Sequence, residues 1–334
     1  MQPKYLQIAM DILNAVAFFV GVFIMYWSMP IACLLYKIRF LSFGGKRDDM
    51  FQWSMFVADS FGITIHKVGS SELHRTTDPI MYIANHRSWA DFFIDVCVTE
   101  GRAALLSRWA VFPVFPVFLM SGLILKGVVF FKRNRIQDKD VFNNFLDSCI
   151  HSSPISGLMI YPEGHRSTLP TSLPLRRGML KYAHSRRMPI QIAITKNKER
   201  VLSEKNLSAG FGVHLIVGYS ELITVDGDED FELFFGKVQA SWDAVWATVY
   251  AADASEPVLV SQGAPGCELP FETKLQQAVY SVAAITLLLS IVVGMLKLLS
   301  LTKFGLPVCL GLVTLVMLAI QRATVPAPVL KAHT

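Results

Sequence analysis

Long uncharged apolar runs occupy both ends of the chain. No Asp, Glu, Lys or Arg occurs in residues 12–36, and the same holds for residues 278–296 and 304–320. A helix of about 20 apolar residues is long enough to cross the hydrocarbon core of a bilayer. We therefore predict an N-terminal membrane segment within residues 1–45 and a transmembrane hairpin within residues 275–322.

Between the two ends, short apolar runs alternate with segments of helical periodicity. Buried strands are predicted at residues 79–84, 128–131, 157–161, 189–195 and 211–218, and helices at 89–98, 138–150, 177–187 and 236–252. This alternation is typical of an α/β fold, a mixed sheet flanked by helices. We place one such domain at residues 46–252.

Two stretches separate or interrupt these parts. Residues 253–274 are rich in Pro, Gly, Ser and Ala and are predicted to be a linker, and residues 323–334 form a tail. Residues 109–125 carry no charge but contain Pro113 and Pro116. That run is either a buried core segment or an apolar wall that accepts a lipid chain or enters the bilayer.

The composition agrees with membrane segments. Hydrophobic residues make up 52% of the chain, charged residues 17%, and the mean hydropathy is +0.42, which is more apolar than soluble domains usually are. The net charge of +5 suits anionic headgroups or phosphorylated substrates. The sequence has no dense basic patch with interleaved aromatics, so we expect no nucleic acid partner. Its five cysteines are scattered and form no C-x-x-C pair, so we expect neither a disulfide framework nor a metal site.

Basic residues after the first apolar run favour a cytosolic catalytic domain. Four Lys and Arg residues lie within positions 37–47, and such residues are enriched on the cytoplasmic side of membrane proteins. Lys297 and Lys303, between the two C-terminal runs, oppose this orientation. We retain the cytosolic orientation as the expectation.

The strand predicted at residues 79–84 is followed by a His and an Asp, His86 and Asp91. An Asp beside a His fixes the imidazole in one tautomer and stabilises its protonated form, as a general base requires. On one continuous helix the two side chains would diverge by about 140°. They meet only if His86 stays on the turn and Asp91 lies early in the helix, with Ser88 as the N-cap. The alternative is a His and an Asp that only cap the strand and the helix.

Further polar residues end or follow the later apolar runs. These residues are Arg133, Glu163, Gly164, Arg166 and Arg177. Taken singly, each charge has an ordinary explanation as a solvated loop residue or as one half of an ion pair. Their order along the chain is more informative than any one of them.

In this order the motifs resemble the four blocks of the lysophospholipid and glycerol-phosphate acyltransferase family, over roughly residues 65–220. His86 and Asp91 match its His-x4-Asp block, and residues 127–133 match the second block, which ends in a substrate-binding arginine. Residues 163–167 match the third block, usually Glu-Gly-Thr-Arg, and Pro189 with its apolar neighbours matches the fourth.

The resemblance implies a membrane-anchored enzyme that moves an acyl group from acyl-CoA to the free hydroxyl of a lysophospholipid. It implies His86 as general base and Asp91 as its orienting partner. It further implies substrate binding by Arg133, Glu163, Gly164 and Arg166, with Arg177 as an additional candidate for the acceptor phosphate. Backbone N–H groups near the start of the helix at residues 89–98 are expected to stabilise the oxyanion. Acyl-CoA is a co-substrate, and no cofactor is expected.

The two C-terminal runs resemble the branch that converts lysophosphatidic acid into phosphatidic acid in the endoplasmic reticulum. Two positions depart from the family pattern and bear on the acceptor: His165 stands in place of the usual threonine, and the fourth block has Ala193 and Ile194 where a second proline is usual. Glycerol 3-phosphate, lysocardiolipin or another lysophospholipid remain alternative acceptors. A transacylase that uses phospholipid donors and a non-catalytic membrane lipid-binding protein also remain open. The expected partners are acyl-CoA, the lysolipid and the bilayer, and the oligomeric state is not indicated.

Overall fold

The structure of the protein is a computed structural model. It describes residues 4–31, 49–76, 78–109, 120–124, 126–131, 138–153, 155, 157–253, 271–301, 307, 308 and 311. Several sequence predictions fall outside these residues. They are Arg133, the basic residues at 37–47, residues 110–119, most of the linker, most of the second C-terminal run and the tail.

Eight α-helices and nine strands make up the described part of the chain. The helices are α1 (Lys4–Ile31), α2 (Asp49–Ser60), α3 (Asp91–Val98), α4 (Lys139–His151), α5 (Arg177–Ser185), α6 (Lys198–Val201), α7 (Phe231–Ala251) and α8 (Phe271–Leu301). The strands are β1 (Thr64–Val68), β2 (Met81–Ala84), β3 (Ala103–Arg108), β4 (Val128–Phe131), β5 (Gly157–Ile160), β6 (Ile190–Lys196), β7 (Leu202–Ser203), β8 (Ser208–Ala209) and β9 (His214–Tyr219). A π-helical turn spans Met120–Ile124.

Seven strands form one mixed sheet in the order β1-β9-β6-β2-β5-β3-β4. Strand β2 pairs in parallel with β5 and with β6, so Met81 lies between Leu158 and Ile190. Only the β6–β9 pair of this sheet is antiparallel. The carboxyl ends of β2, β5 and β6 therefore lie at one edge, where ligands bind in α/β sheets of this kind.

Helices cover both faces of the sheet, which explains why its central strands are apolar throughout. Met81 and Ile83 of β2 pack in a core with α4, α5 and α7. Tyr82 and Ala84, which alternate with them, pack in a second core with α1, α2 and α3. Side chains of successive strand residues point to opposite faces, so a strand covered on both sides needs apolar residues at every position. The predicted α/β fold is thus confirmed.

Two helices are long and apolar enough to cross a membrane, over Met10–Ile31 in α1 and Ala278–Ser300 in α8. One face of α1 buries Phe18, Met25 and Met29 in the core, while the opposite face exposes apolar side chains. In α8, only 6% of the most apolar part of the span Ala278–Ser300 is buried. This apolar exposure favours membrane association.

Several predicted boundaries differ from those observed, by one to a few residues, and the starts of four elements are among them. Helix α3 begins at Asp91 rather than at residue 89, and its N-cap is Ala90, which makes no side-chain capping bond. Helix α7 begins at Phe231 rather than at residue 236, because Asp230 caps it by accepting from Glu232 N and Leu233 N at 2.8 and 2.9 Å. Helix α8 begins at Phe271, inside the predicted linker. The last strand begins at His214 rather than at residue 211.

Candidate active site

The predicted catalytic pair lies at the carboxyl edge of the sheet. His86 follows β2 on a turn, and Asp91 is the first residue of α3. His86 Nδ1 and Asp91 Oδ2 are 2.6 Å apart. The two side chains meet because the turn between them breaks the helical spacing. An imidazole held at Nδ1 by a carboxylate presents Nε2 to a substrate proton.

The N–H groups of the turn converge on carboxylates. Asp91 accepts from Arg87 N at 2.6 Å and from Ser88 N at 3.2 Å. Ser88, predicted to cap α3, instead accepts from Ala90 N at 3.2 Å through its hydroxyl. Glu204 accepts from Trp89 N at 3.1 Å. These four N–H groups are therefore occupied, and the expected oxyanion site at the start of this helix is not available there.

Burial and charge set the protonation of the pair in the way general-base chemistry requires. His86 is 26% exposed and Asp91 only 2%. Burial lowers the pKa of His86 below its ordinary value and outweighs the opposing hydrogen bond and charge of Asp91, so the imidazole is neutral at pH 7. Burial alone would raise the pKa of Asp91, but Lys198, His86 and the Arg87 N–H together hold that pKa below its usual range.

Glu163 binds the backbone of the turn that carries His86. Its side chain is buried, and its two oxygens accept from His86 N at 2.8 Å and from Leu173 N at 2.9 Å. Burial raises the pKa of Glu163, whereas these two N–H groups lower it. Gly164 has φ +74°, a conformation that favours glycine. The structure thus shows Glu163 bound to the backbone that carries His86.

Arg166 lies at the same turn and pairs with a carboxylate that the sequence analysis did not identify. Its Nη1 is 2.5 Å from Glu204 Oε1, and Glu204 is the more buried of the two. Burial raises the pKa of Glu204, and the charge of Arg166 opposes that rise. Because Glu204 also accepts from Trp89 N, it links Arg166 to the turn between His86 and Asp91.

The two arginines at the start of α5 have different surroundings. Arg177 is 45% exposed, pairs with Glu232 of α7 and lies 4.5 Å over the Phe235 ring. Arg176 instead runs past Gly164, where a Cβ would meet the Arg176 Cγ at 3.2 Å. Among the described residues no carboxylate pairs with Arg176. The structure therefore brings Arg176, rather than Arg177, next to the turn that holds Glu163 and Arg166.

Three further residues complete the surroundings of His86, and the sequence analysis missed all three. Tyr161 stacks on the His86 ring with centroids 4.3 Å apart. The Tyr161 hydroxyl donates to Asp95 Oδ2 at 2.8 Å. Lys198 is fully buried and contacts Asp95 at 2.9 Å and Asp91 at 3.4 Å. Asp95 follows Asp91 by four positions, which is the one signal in the sequence that places it on the same helix face.

Part of the chain matches a known protein family. Residues 65–194 match the family model described as Acyltransferase. That segment contains His86, Asp91, Glu163 and Arg166. A comparison with curated proteins gave no match.

Among solved structures, the chain is similar to the crystal structure of the 1-acyl-sn-glycerophosphate (LPA) acyltransferase PlsC from Thermotoga maritima. The TM-score is 0.54 at 14% sequence identity, over 74% of this chain and 99% of the PlsC chain. At this identity the similarity is one of fold. The family model covers residues 65–194, and the fold agrees with it: these residues form an acyltransferase domain.

Proposed function

We propose that this enzyme transfers an acyl group from acyl-CoA to the free hydroxyl of lysophosphatidic acid and so forms phosphatidic acid. The observation that carries the proposal is the 2.6 Å contact between His86 Nδ1 and Asp91 Oδ2 within the acyltransferase domain. A neutral imidazole with a buried carboxylate behind it is suited to deprotonate a hydroxyl. The fold shared with an LPA acyltransferase supports the choice of acceptor.

In the proposed reaction, His86 Nε2 accepts the proton of the acceptor hydroxyl while the hydroxyl oxygen attacks the thioester carbonyl. Asp91 stabilises the resulting imidazolium. The tetrahedral intermediate then collapses, so that the C–S bond breaks and an ester C–O bond remains. The CoA sulfur leaves and takes the proton from His86, which restores the neutral imidazole. No serine or cysteine nucleophile is required, because the acceptor supplies the attacking oxygen.

The acceptor phosphate is proposed to bind arginine side chains at the turn after β5. A guanidinium offers two parallel donors that match phosphate oxygens. Arg166 lies at this turn, and Arg176 lies beside Gly164. Arg133 and Arg177 remain candidates from the sequence. Arg166 already pairs with Glu204, so a bound phosphate would share or replace that carboxylate.

The membrane helices fit a lipid acceptor. The outward face of α1 and much of the span Ala278–Ser300 in α8 are apolar and exposed, so the acyl chains of the substrates can remain in hydrocarbon while their polar groups reach His86. We propose the endoplasmic reticulum membrane as the location, with the catalytic domain facing the cytosol. The orientation rests on the basic residues at positions 37–47.

The test is transfer of radiolabelled oleate from oleoyl-CoA in membranes that contain the wild type, His86→Ala or His151→Ala. His151 is an exposed histidine at the end of α4 and serves as the matched control. We expect product with the wild type and the control, and a loss of about 10²–10⁴-fold in kcat with His86→Ala.

The acceptor panel contains lysophosphatidic acid, glycerol 3-phosphate, lysocardiolipin and other lysophospholipids. Faster transfer to one of the others would replace lysophosphatidic acid as the acceptor and leave the reaction unchanged. Transfer from a phospholipid but not from oleoyl-CoA would establish a transacylase. No transfer by intact wild-type protein with any donor or acceptor would contradict the enzymatic proposal.

A further inference from the structure

A buried lysine lies behind the catalytic pair, and the mechanism above does not use it. Lys198 has no solvent exposure. Its Nζ donates to the carbonyl of Asn85 at 2.7 Å and to both oxygens of Asp95 at 2.9 Å, and it lies 3.4 Å from Asp91 Oδ1. A charged ammonium is seldom buried unless carboxylates compensate it. The position therefore demands an explanation.

The backbone directs this side chain inward. Asn197, the residue before α6, has φ +76°. Lys196 and Lys198 flank Asn197, and their side chains bind different parts of the protein. Lys196 Nζ donates to the carbonyls of Tyr250 and Ala252, whereas Lys198 reaches the carboxylates of α3. In the sequence, the stretch Lys196-Asn197-Lys198 resembles ordinary surface charge. The left-handed conformation of Asn197 changes the direction of the backbone between the two lysines, so that Lys198 enters the core and Lys196 does not.

The two carboxylates that share Lys198 differ in their other donors. Asp91 also accepts from His86, from Arg87 N and from Ser88 N. Asp95 accepts from the Tyr161 hydroxyl. Burial raises the pKa of Asp95 to about 7, against the lowering effect of Lys198. Asp91 thus keeps its charge more readily than Asp95, and among the described residues Lys198 is the buried cation that contacts both.

We propose that Lys198 is a positioning residue for the transfer reaction: it compensates the charge behind His86 so that Asp91 stays ionised while the imidazole stays neutral and able to accept a proton. The proposal rests on the proposed function for its kinetic consequence but not for its electrostatic one. Lys198 acts through Asp91, the carboxylate in direct contact with His86. Asp95 reaches His86 only through the hydroxyl and ring of Tyr161.

Other charged and titratable groups also face His86 or its neighbours, from α3, the turn after β5, α6 and the turn after β7. They are Asp91, Asp95, Tyr161, Glu163, Arg166, Lys198 and Glu204, with the Arg87–Glu199 pair beyond them. Both cations that lower the pKa of His86, Arg166 and Lys198, stand against Asp91, which raises it. Removal of Lys198 alone therefore has a predictable sign.

The test compares Lys198→Met, which keeps length but removes charge, with Lys198→Arg, which keeps charge. A third variant, Lys198→Met with Asp95→Asn, removes the lysine and its most closely bound carboxylate together. It removes the carboxylate that Lys198 binds most closely, so that Asp95 is not left ionised without its lysine, and it serves if the single variant fails to fold. For each variant we would measure kcat/KM against pH, since this profile reports the pKa of the free enzyme.

The sign follows from the charge that is lost. The enzyme is active when His86 is neutral, so activity falls as the pH drops through the His86 pKa. Loss of a nearby cation favours the protonated imidazole and raises that pKa. The acidic limb of the profile should therefore move to higher pH by about one unit in Lys198→Met, and by less in the double variant, which also loses the Asp95 carboxylate. It should stay in place in Lys198→Arg.

A second readout does not need catalysis. Diethyl pyrocarbonate modifies neutral imidazole, and mass spectrometry of the peptide containing His86 gives the rate of its modification at each pH. The midpoint of that rate should move upward in the methionine variants as the kinetic limb does. An unmoved midpoint in both folded methionine variants would overturn the role of Lys198. If the wild type transfers no acyl group while the midpoint still moves upward in the methionine variants, the proposed function alone is contradicted.

Discussion

Asp91 receives donors from two parts of the chain, the turn just before it and a distant lysine. His86 and the Arg87 and Ser88 N–H groups come from the turn itself, and Lys198 comes from the far end of β6. The spacing of His86 and Asp91 on one short segment, taken together with the order of the later motifs, predicted their contact. Lys198 follows Asp91 by more than a hundred positions, and no local pattern distinguishes it from a surface lysine.

The arginines at the turn after β5 give a prediction at the same scale. Arg166→Ala and Arg176→Ala should each raise the KM for the lysolipid by about 10- to 100-fold, the cost of losing a charge-assisted pair with phosphate. The KM for acyl-CoA should change little. Steady-state kinetics with each substrate varied in turn would measure both constants.

Arg177→Ala is the matched comparison, since Arg177 neighbours Arg176 but pairs with Glu232 on α7. We expect its lysolipid KM to stay within about threefold of the wild type, as is usual when an exposed ion pair is lost. A larger effect for Arg177→Ala than for Arg176→Ala would restore Arg177 as the phosphate-binding residue and remove Arg176.

At the scale of the elements, the site depends on the parallel arrangement of β2, β5 and β6. The sequence predicted all three strands, because strands covered on both faces are continuous apolar runs. It did not predict β1 or β3. Strand β1 includes two polar residues, His66 and Lys67. The buried His66 has its Nε2 2.8 Å from Nδ1 of His214 on β9. Such polar residues hide a strand whose polar groups find partners only in the assembled sheet.

Asn85, which lies between β2 and His86, links β2 to β6 through hydrogen bonds. Its buried amide donates to the Thr195 carbonyl and accepts from Thr195 N, both at 2.9 Å. Asn85→Ala would leave both backbone groups of Thr195 without these partners, at a cost of about 2 kcal/mol. For a domain of this size the midpoint of thermal unfolding should fall by about 4–8 °C.

Thermal unfolding of the detergent-solubilised protein, followed by circular dichroism, would measure this change. Asn144→Ala, on the exposed side of α4, should lower the midpoint by no more than about 2 °C. Equal midpoints for the two variants would show that the Asn85 amide does not stabilise the junction of β2 and β6.

At the scale of the whole molecule, one apolar helix precedes the α/β domain in the chain and another follows it. Their existence was readable from the sequence as runs without charge. Their packing was not, since hydropathy does not distinguish a helix that is exposed along its length from one that contributes to a core. Only the structure shows that α1 has a buried face and that little of the apolar span Ala278–Ser300 in α8 is buried.

The exposure of α8 leads to a prediction about insertion. Leu287 is 56% exposed near the middle of its apolar window. Leu287→Lys should reduce membrane insertion, because a lysine at the centre of a spanning helix costs about 3 kcal/mol. Leu233→Lys, at an exposed position of α7, is the control. The fraction retained in the pellet after alkaline carbonate extraction would measure insertion, and equal retention of both variants would argue against α8 as a membrane span.

Helix α1 contacts the turn between His86 and Asp91. Trp89, between His86 and Asp91 in the chain, packs against the Phe18 and Tyr26 rings with centroids 6.1 and 5.9 Å apart. A shortened protein that began after α1 would therefore lose part of its core and the packing that supports the turn between His86 and Asp91. A water-soluble form of this enzyme would require new polar residues on the outward face of α1, with the inward face kept as it is.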